Sequence, residues 1–448
     1  MTSLGILGVL LSSCMAQEPP RTNILVLLTD DQGIDQVAAY GEHPNPPATP
    51  RIDALADQGV LFRNAWAYPT CSPARAALLT GRLGRRTGVG DALQYRQGLE
   101  LRTSEAALPA VLATAGYANG AVGKWHLSAY NSPSGVDHPN RIGFDHFVGS
   151  VANLYDHVQN DGTPHSYFHW EKITNGALTK EEGYATTVTV DEALARIEDM
   201  PEPWFLYVAF HAPHTPLDPP PPDLHQQGEV TGRSPEAVRY RAVVEALDTE
   251  IGRLLDSMDP GVLDRTTVVF ASDNGTPEDA IRPPWDPGRG KQTPFEGGIN
   301  VPLIVTGPLV GSPGSESGAL VHIHDVFATA LEIAGAEAPV DVPLDSESLL
   351  PFVARPDARG RDVLHTERFV PNGPGPYNID WRMTRDDRFK VIHRPQAGER
   401  GVFDLRGRTD DGNPLDLSAL TDRDRRQVDA LIEAQTDHFG SIEGPGAD

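Results

Sequence analysis

Cysteine is almost absent, with only Cys14 and Cys71 among 448 residues. If Cys14 belongs to a leader that is removed or lipidated, the mature chain carries one thiol and no intrachain disulfide, and a lone thiol in an exported chain calls for an explanation. Basic residues are scarce: 37 Lys and Arg stand against 62 Asp and Glu, a formal charge of −25. That balance argues against a nucleic-acid partner, whose backbone is met by clustered Lys and Arg, and it means that an anionic substrate must be met locally by a few cations. It also fits an exported, salt-exposed protein, where screening shortens the reach of self-repulsion. Long apolar runs are lacking too. The one near the start, Leu4 to Leu11, is too short to span a bilayer, which takes ~20 residues, and no second run approaches that length. Neither an internal repeat nor a long low-complexity tract is present.

What is there reads as a globular chain. At 39% hydrophobic and 22% charged residues, it can bury a large core, as one big domain or as two to three ordinary ones. Residues 1–20 read as a bacterial signal segment of lipoprotein type. Leu11-Ser12-Ser13-Cys14 resembles a lipobox whose cysteine becomes the lipidated N-terminus, and Met15-Ala16 offers a weaker cut for soluble export. No Lys or Arg precedes the run, a departure from the usual leader, and a buried first strand is the alternative. The expected location is a bacterial periplasm or outer membrane, with membrane contact only through Cys14, or otherwise secretion.

Along the chain, apolar runs alternate with helical patterns. Asn23–Thr29, Tyr117–Val122, Trp204–Phe210, Thr266–Ala271 and Val301–Thr306 have the continuous apolar character of strands buried on both faces of a parallel sheet. Helices are expected from Pro50 to Ala56 behind a Thr49 cap, and over Ser104–Ala115, Thr189–Asp199, Ser234–Met258 and Ile323–Ala334. A looser excursion covers Ser128–Gly183, with a hairpin turn at Asn175-Gly176. Tyr155, Tyr167, Phe168 and Trp170 in it are either sugar-stacking aromatics or local core. The fold class is therefore α/β, a large, mainly parallel sheet flanked by helices over 21–350. A small C-terminal α+β part with an antiparallel sheet follows over 351–448, ending in a helix over Asp422–Phe439.

Four of these strands run into polar groups: Asp30-Asp31, Lys124-Trp125-His126, His211 with His214, and Asp273-Asn274. Ligands in open α/β sheets sit at the carboxyl ends of strands, so the four sets are expected to converge on one crevice. Asp30, Asp31, Asp273 and Asn274 offer hard oxygens, which favour Ca²⁺ or Mg²⁺ over zinc. Lys124, His126, His214 and Lys291 are cations or proton carriers suited to an oxyanion. Read singly, each is equally a surface lysine, a buried histidine or ordinary turn chemistry. Cys71 opens a short helix closed by Gly81, with Pro73 in its first turn and Arg75 one turn on. The thiol is either a small buried hydrophobe or a nucleophile at a helix start that can hold an anion.

Cys71-Ser72-Pro73-Ala74-Arg75, with Leu78-Leu79-Thr80-Gly81-Arg82 behind it, resembles the type I sulfatase signature C-x-P-x-R and its trailing L-T-G-R. Nearly the whole mature chain supports the resemblance to this branch of the alkaline phosphatase superfamily. The motifs are Thr29-Asp30-Asp31, Gly123-Lys124-Trp125-His126, His211-Ala212-Pro213-His214-Thr215-Pro216, Ser272-Asp273-Asn274-Gly275, Gly290-Lys291 before Glu296-Gly297-Gly298, and Val402-Phe403-Asp404-Leu405.

The resemblance implies that a formylglycine-generating enzyme oxidises Cys71 to formylglycine (3-oxoalanine), which is then hydrated. It further implies one divalent metal, Ca²⁺ ahead of Mg²⁺, held by Asp30, Asp31, Asp273, Asn274 and the modified Cys71. Arg75 would stabilise the hydrate, Lys124 and Lys291 would bind sulfate oxygens, His126 would be the base for collapse, and His214 with Lys291 would assist the leaving oxygen. The activity implied is release of inorganic sulfate from a sulfate ester, of a sulfated carbohydrate or of a phenol. Two rival readings stand beside it: a phosphate or phosphonate ester hydrolase of the same superfamily, and a non-catalytic anion- or glycan-binding protein with Cys71 unmodified. No residue names the sugar, the linkage position or the oligomeric state.

Overall fold

A computed structural model describes residues 22–94, 97–156, 165–407 and 411–442; the leader over 1–20 and Cys14 lie outside the described residues. Ten strands form one sheet: β1 (Asn23–Thr29), β2 (Gly59–Trp66), β3 (Ala118–Lys124), β4 (His146–Ser150), β5 (Trp170–Thr174), β6 (Ala177–Glu181), β7 (Trp204–Ala209), β8 (Thr266–Ser272), β9 (Leu303–Thr306) and β10 (Ser315–His322). Their order across the sheet is β10-β2-β9-β8-β1-β7-β3-β4-β5-β6. β1 runs parallel to β7 and β8, and β7 to β3. β9 lies antiparallel to both its neighbours, and β5 reverses at the other edge.

The apolar continuity of β1 follows from this placement. All seven of its residues are buried, with Val26 and Leu28 in one core layer and Leu25 and Leu27 in the other. On the second face the expected long helix, here Glu236–Ser257, packs Val243, Val244 and Leu247 against the sheet. Burial on both faces is what selects an unbroken apolar run over an alternating one.

The second sheet is four-stranded and antiparallel: β11 (Leu364–Val370), β12 (Ile379–Arg385), β13 (Phe389–Arg394) and β14 (Glu399–Asp404), in that order. The helix Asp422–Ser441 covers it, with Val428 and Leu431 packed on Phe389 and Val391.

Several boundaries differ from the sequence expectation. The helix expected over Ser104–Ala115 begins only at Leu108, because Pro109 suits a first turn and not an interior. The helix expected from Thr189 begins at Ala185. The loose excursion contains β4 and a hairpin in which Thr174 pairs with Ala177. Its turn residues Asn175 and Gly176 both take positive φ, 45° and 81°, as a two-residue hairpin loop requires. β10 and β11 carry polar residues such as Glu316, Ser317, Thr366 and Glu367 along their length, so neither reads as an apolar run.

Candidate active site

The central strands β8, β1, β7 and β3 are adjacent and parallel, so their carboxyl ends open on one edge. Asp273-Asn274, Asp30-Asp31, His211 with His214, and Lys124 to His126 all emerge there, and all of these residues are buried. Asp31 (φ 71°) and His126 (φ 59°) adopt the left-handed backbone that non-glycine residues rarely take. The Asp31 turn is fixed by its own N–H donating to Asp273 Oδ1 at 3.3 Å and by the Tyr240 hydroxyl donating to its carbonyl at 2.6 Å. Before Lys124 comes Gly123 (φ 97°), where a Cβ would lie 2.0 Å from the Ala209 carbonyl oxygen. Only glycine allows β3 to approach β7 so closely and bring Lys124 to the crevice.

Cys71 opens the helix Cys71–Thr80, which is buried throughout and closed by Gly81 at φ 68°. Ser72 Oγ accepts the N–H of Leu93 at 2.9 Å and ties the next loop to the helix start. Cys71 Sγ lies 3.5 Å from Asp30 Oδ1 and 3.8 Å from Lys124 Nζ. One turn on, Arg75 grips Asp273 Oδ2 through Nε at 2.9 Å and Nη2 at 2.7 Å; Nη2 also reaches Asp30 at 3.3 Å, and Nη1 donates to the Lys124 carbonyl at 2.9 Å. Lys124 Nζ is paired with Asp30. Lys291, from the loop after β8, meets the two Asp31 oxygens at 2.6 and 2.7 Å, and Asn274 Nδ2 donates to Asp31 Oδ1 at 2.6 Å.

The histidines divide into two kinds. His214 Nδ1 donates to the Thr215 carbonyl at 2.7 Å, which leaves Nε2, 3.8 Å from Asp31 Oδ2, with a lone pair facing the crevice when the ring is neutral. His126 Nδ1 is buried with no hydrogen-bond partner among the described residues. His211 is bound at Nε2 to Ser150 Oγ at 2.6 Å, and Ser150 in turn donates to the Ala152 carbonyl, so His211 builds the wall.

Charge crowding sets the protonation states. Burial would raise Asp30, but Lys124, His214, Arg75 and Lys291 hold it well below the usual carboxylate range. Burial, with Asp30 and Asp273 as like charges, raises Asp31 to about 7 against the pull of Lys291. Burial and then Asp30 push the Cys71 thiol well up, so the unmodified residue is a neutral thiol and a poor nucleophile. Burial, with Lys124 and Arg75 for His126 and with Lys291 and Lys124 for His214, keeps both rings neutral.

The side chains gathered here could hold a divalent cation. Ligand atoms of Asp30, Asp31, Cys71 and His214 lie within 4.8 Å of one another. Asn274 Oδ1 beside them is buried with no hydrogen-bond partner among the described residues. Asp273, expected among the ligands, is not one of those four, and its Oδ2 is taken by Arg75. Thus Cys71, Arg75, Lys124, His126, His214, Lys291, Asp30, Asp31, Asp273 and Asn274 share one buried crevice. Tyr240, which holds the Asp31 turn, carries no sequence signal beyond its place on an amphipathic helix. Of the four aromatics in the excursion, Tyr167 and Trp170 are buried and Phe168 packs on Tyr184, so these three are core; Tyr155 is 47% exposed.

A family model described as Sulfatase matches residues 22–336. Human N-acetylgalactosamine-6-sulfatase (Homo sapiens) is 35% identical over 378 residues, 78% of this chain and 69% of that protein. The uncharacterized sulfatase YdeN of Escherichia coli K12 is 33% identical over 353 residues, 75% of this chain and 61% of that protein. Among solved structures, that of Ps i-CgsB superposes with a TM-score of 0.80 at 24% identity, covering 95% of this chain and 94% of that one. BT4656, solved in complex with its substrate D-glucosamine-2-N,6-O-disulfate, gives 0.72 at 20% identity, covering 96% and 100%. These structural likenesses speak for the fold. Matched by the family's model over most of its length, the chain belongs to the sulfatase family of the alkaline phosphatase superfamily, a sulfuric ester hydrolase whose family chemistry brings a divalent metal and a formylglycine.

Proposed function

We propose that the substrate is the sulfate ester of a carbohydrate and that the crevice around Cys71 carries out the hydrolysis. The observation that carries the site assignment is the convergence of a buried helix-start Cys71, three cations (Arg75, Lys124, Lys291) and three carboxylates (Asp30, Asp31, Asp273). The substrate class is supported by the names of the relatives: one acts on an N-acetylgalactosamine 6-sulfate group, and one neighbour binds a sulfated glucosamine.

Asp30, Asp31, Asn274, Asp273 and position 71 would hold the metal, with Ca²⁺ preferred on the hard oxygen donors. The bound ion supplies charge neutralisation for the oxygens gathered at the carboxylates. Formylglycine in its hydrated form supplies a hydroxyl nucleophile at position 71 and a route for sulfate release by return to the aldehyde. Lys124 and Lys291 are engaged with Asp30 and Asp31. When those carboxylates are shared with a cation, the two ammonium groups are free to turn to sulfate oxygens. Arg75, braced on Asp273, holds the position 71 hydrate. His126, neutral and with no partner at Nδ1 among the described residues, takes the proton when sulfate leaves, and His214 and Lys291 assist the departing alcohol oxygen, the Lys291 ammonium being the one of the two that carries a proton to give.

The neutral, buried thiol supports modification by a formylglycine-generating enzyme, since Cys71 left as such is a weak nucleophile. A leader over 1–20, export to a periplasm or outer membrane, lipidation at Cys14, and a catalytic part over 21–350 with a C-terminal part over 351–448 complete the proposal. The test is release of inorganic sulfate from a panel of sulfated mono- and oligosaccharides by protein whose Cys71 peptide mass shows formylglycine. Phenyl phosphate and phenyl sulfate run side by side complete it. Sulfate release from a sugar is the expected result. A large preference for the phosphate ester, or an unmodified thiol in the native host with no turnover, overturns the proposal.

A further inference from the structure

Tyr155 is an exposed aromatic beside the buried site, and its place is specific. It follows β4, whose carboxyl end joins the same edge of the sheet as the site residues. One face of its ring stacks on the His214 ring, with centroids 6.0 Å apart and planes at 26°. The remainder of the side chain, at 47% exposure, faces outward. The other rings of the segment find protein partners: Tyr167 stacks on Tyr184 and donates its hydroxyl to the His214 carbonyl at 2.9 Å, and Trp170 packs near His211.

An anionic group held by Arg75, Lys124 and Lys291 would sit deep, since Arg75 and Lys124 are fully buried. Of the site's side chains Lys291 (13% exposed) and His214 (8%) are the least buried, so the carbon skeleton attached to the anion leaves on their side, and Tyr155 is the ring stacked on His214. Aromatic faces bind other rings by offset stacking and by contact with the apolar face of a pyranose, while the phenol hydroxyl offers a polar end to sugar hydroxyls. We propose that Tyr155 is a wall of the subsite for the alcohol half of the ester and selects ring-bearing alcohols, a pyranose or a phenol, over open-chain ones. The inference rests on the assignment of the Cys71 crevice as the hydrolytic site.

The experiment compares wild type, Tyr155→Phe and Tyr155→Ala, each with formylglycine confirmed by peptide mass and with calcium present. The assays are N-acetylgalactosamine 6-sulfate, 4-nitrophenyl sulfate and an alkyl sulfate as substrates, and inorganic sulfate as inhibitor. Tyr155→Ala is expected to lower kcat/KM for both ring esters by about tenfold, chiefly through KM. The alkyl ester and inhibition by inorganic sulfate should change by less than about twofold, and Tyr155→Phe should keep most of the ring preference. Equal losses for ring and alkyl esters, or weakened sulfate inhibition, would show that Tyr155 acts by holding His214 and would overturn the inference, as would no change in KM. Wild type inactive on every ester would instead sink the hydrolytic assignment beneath it.

Discussion

Two regions of the molecule bury charge, and they use it in opposite ways. Between the large and small sheets, Lys390 lies fully buried between Glu296 at 2.9 Å and Asp411 at 2.8 Å, over the Trp66 ring, with Arg385 3.6 Å from Glu296. Trp66 Nε1 donates to the same Glu296 at 3.2 Å. The cation stands between its two carboxylates, and Glu296 is held below its ordinary range despite its burial. In the crevice the carboxylates come from the ends of neighbouring strands and face one another, Asp31 is driven up to about 7, and polar atoms of Asn274 and His126 lack partners among the described residues. In the first arrangement both carboxylates share the Lys390 ammonium, although burial and the charge of Glu296 still raise Asp411 to about 6. The second carries a desolvation and repulsion cost that a bound cation and anion relieve.

That contrast can be broken experimentally, most severely at its centre. Cys71→Ala removes the nucleophile precursor and is expected to lower turnover by at least about 10⁴-fold in a steady-state sulfate-release assay. Its melting temperature should remain near that of wild type, because no ion pair is lost. Lys390→Met is the converse: Glu296 and Asp411 lose their shared cation, and stability should fall by about 3–5 kcal/mol in denaturant titrations, with kcat per folded molecule unchanged. His126→Ala should reduce kcat by about 10² to 10⁴ with a smaller change in KM, measured on one sulfate ester over a range of concentrations.

A gentler test concerns the lysines. If Lys124 and Lys291 serve Asp30 and Asp31 until a divalent ion shares those carboxylates, sulfate should bind at least about tenfold more tightly with calcium present. By reciprocity, sulfate should raise calcium affinity by the same factor, readable by calorimetry in both orders. The smallest effect is in pH. Asp31 is raised to about 7 in the folded protein, above its unfolded value, so its contribution favours the native state at low pH and is lost as pH rises through about 7. Metal-free protein should therefore melt lower at pH 8 than at pH 6, whereas Asp31→Asn should flatten that dependence. Calcium affinity runs the other way, weakening about tenfold per unit below pH 7 as a proton competes for Asp31.

The sequence makes the four strand ends legible because a strand buried on both faces must be apolar until the moment it leaves the sheet. Thr29-Asp30 and Ser272-Asp273 mark that exit directly. The pairing of Lys291 with Asp31, 260 residues away in the chain, has no local signature, and only the resemblance brings the two together. Tyr155 and Tyr167 look alike as letters in the same polar excursion. Exposure of one and burial of the other depend on Tyr184 and His214, which reach them from other elements. β11 stays hidden for a related reason. Its buried Glu367 is met by Arg85, 282 residues away in the chain, at 2.8 Å.

The burial of Cys71, at 2% exposure, is also a statement about time. Its neighbours Asp30 and Lys124 reach it from strands that pair with β7 and β8, whose contacts join residues 86 to 243 positions apart and belong to the slow part of folding. Until those strands close, the thiol and its Pro73–Arg75 flank are an extended stretch of chain open to another enzyme. Afterwards they are sealed. If Cys71 is the residue converted, as proposed, conversion has to precede that closure, and the supply of active molecules is then set by a race between maturation and folding.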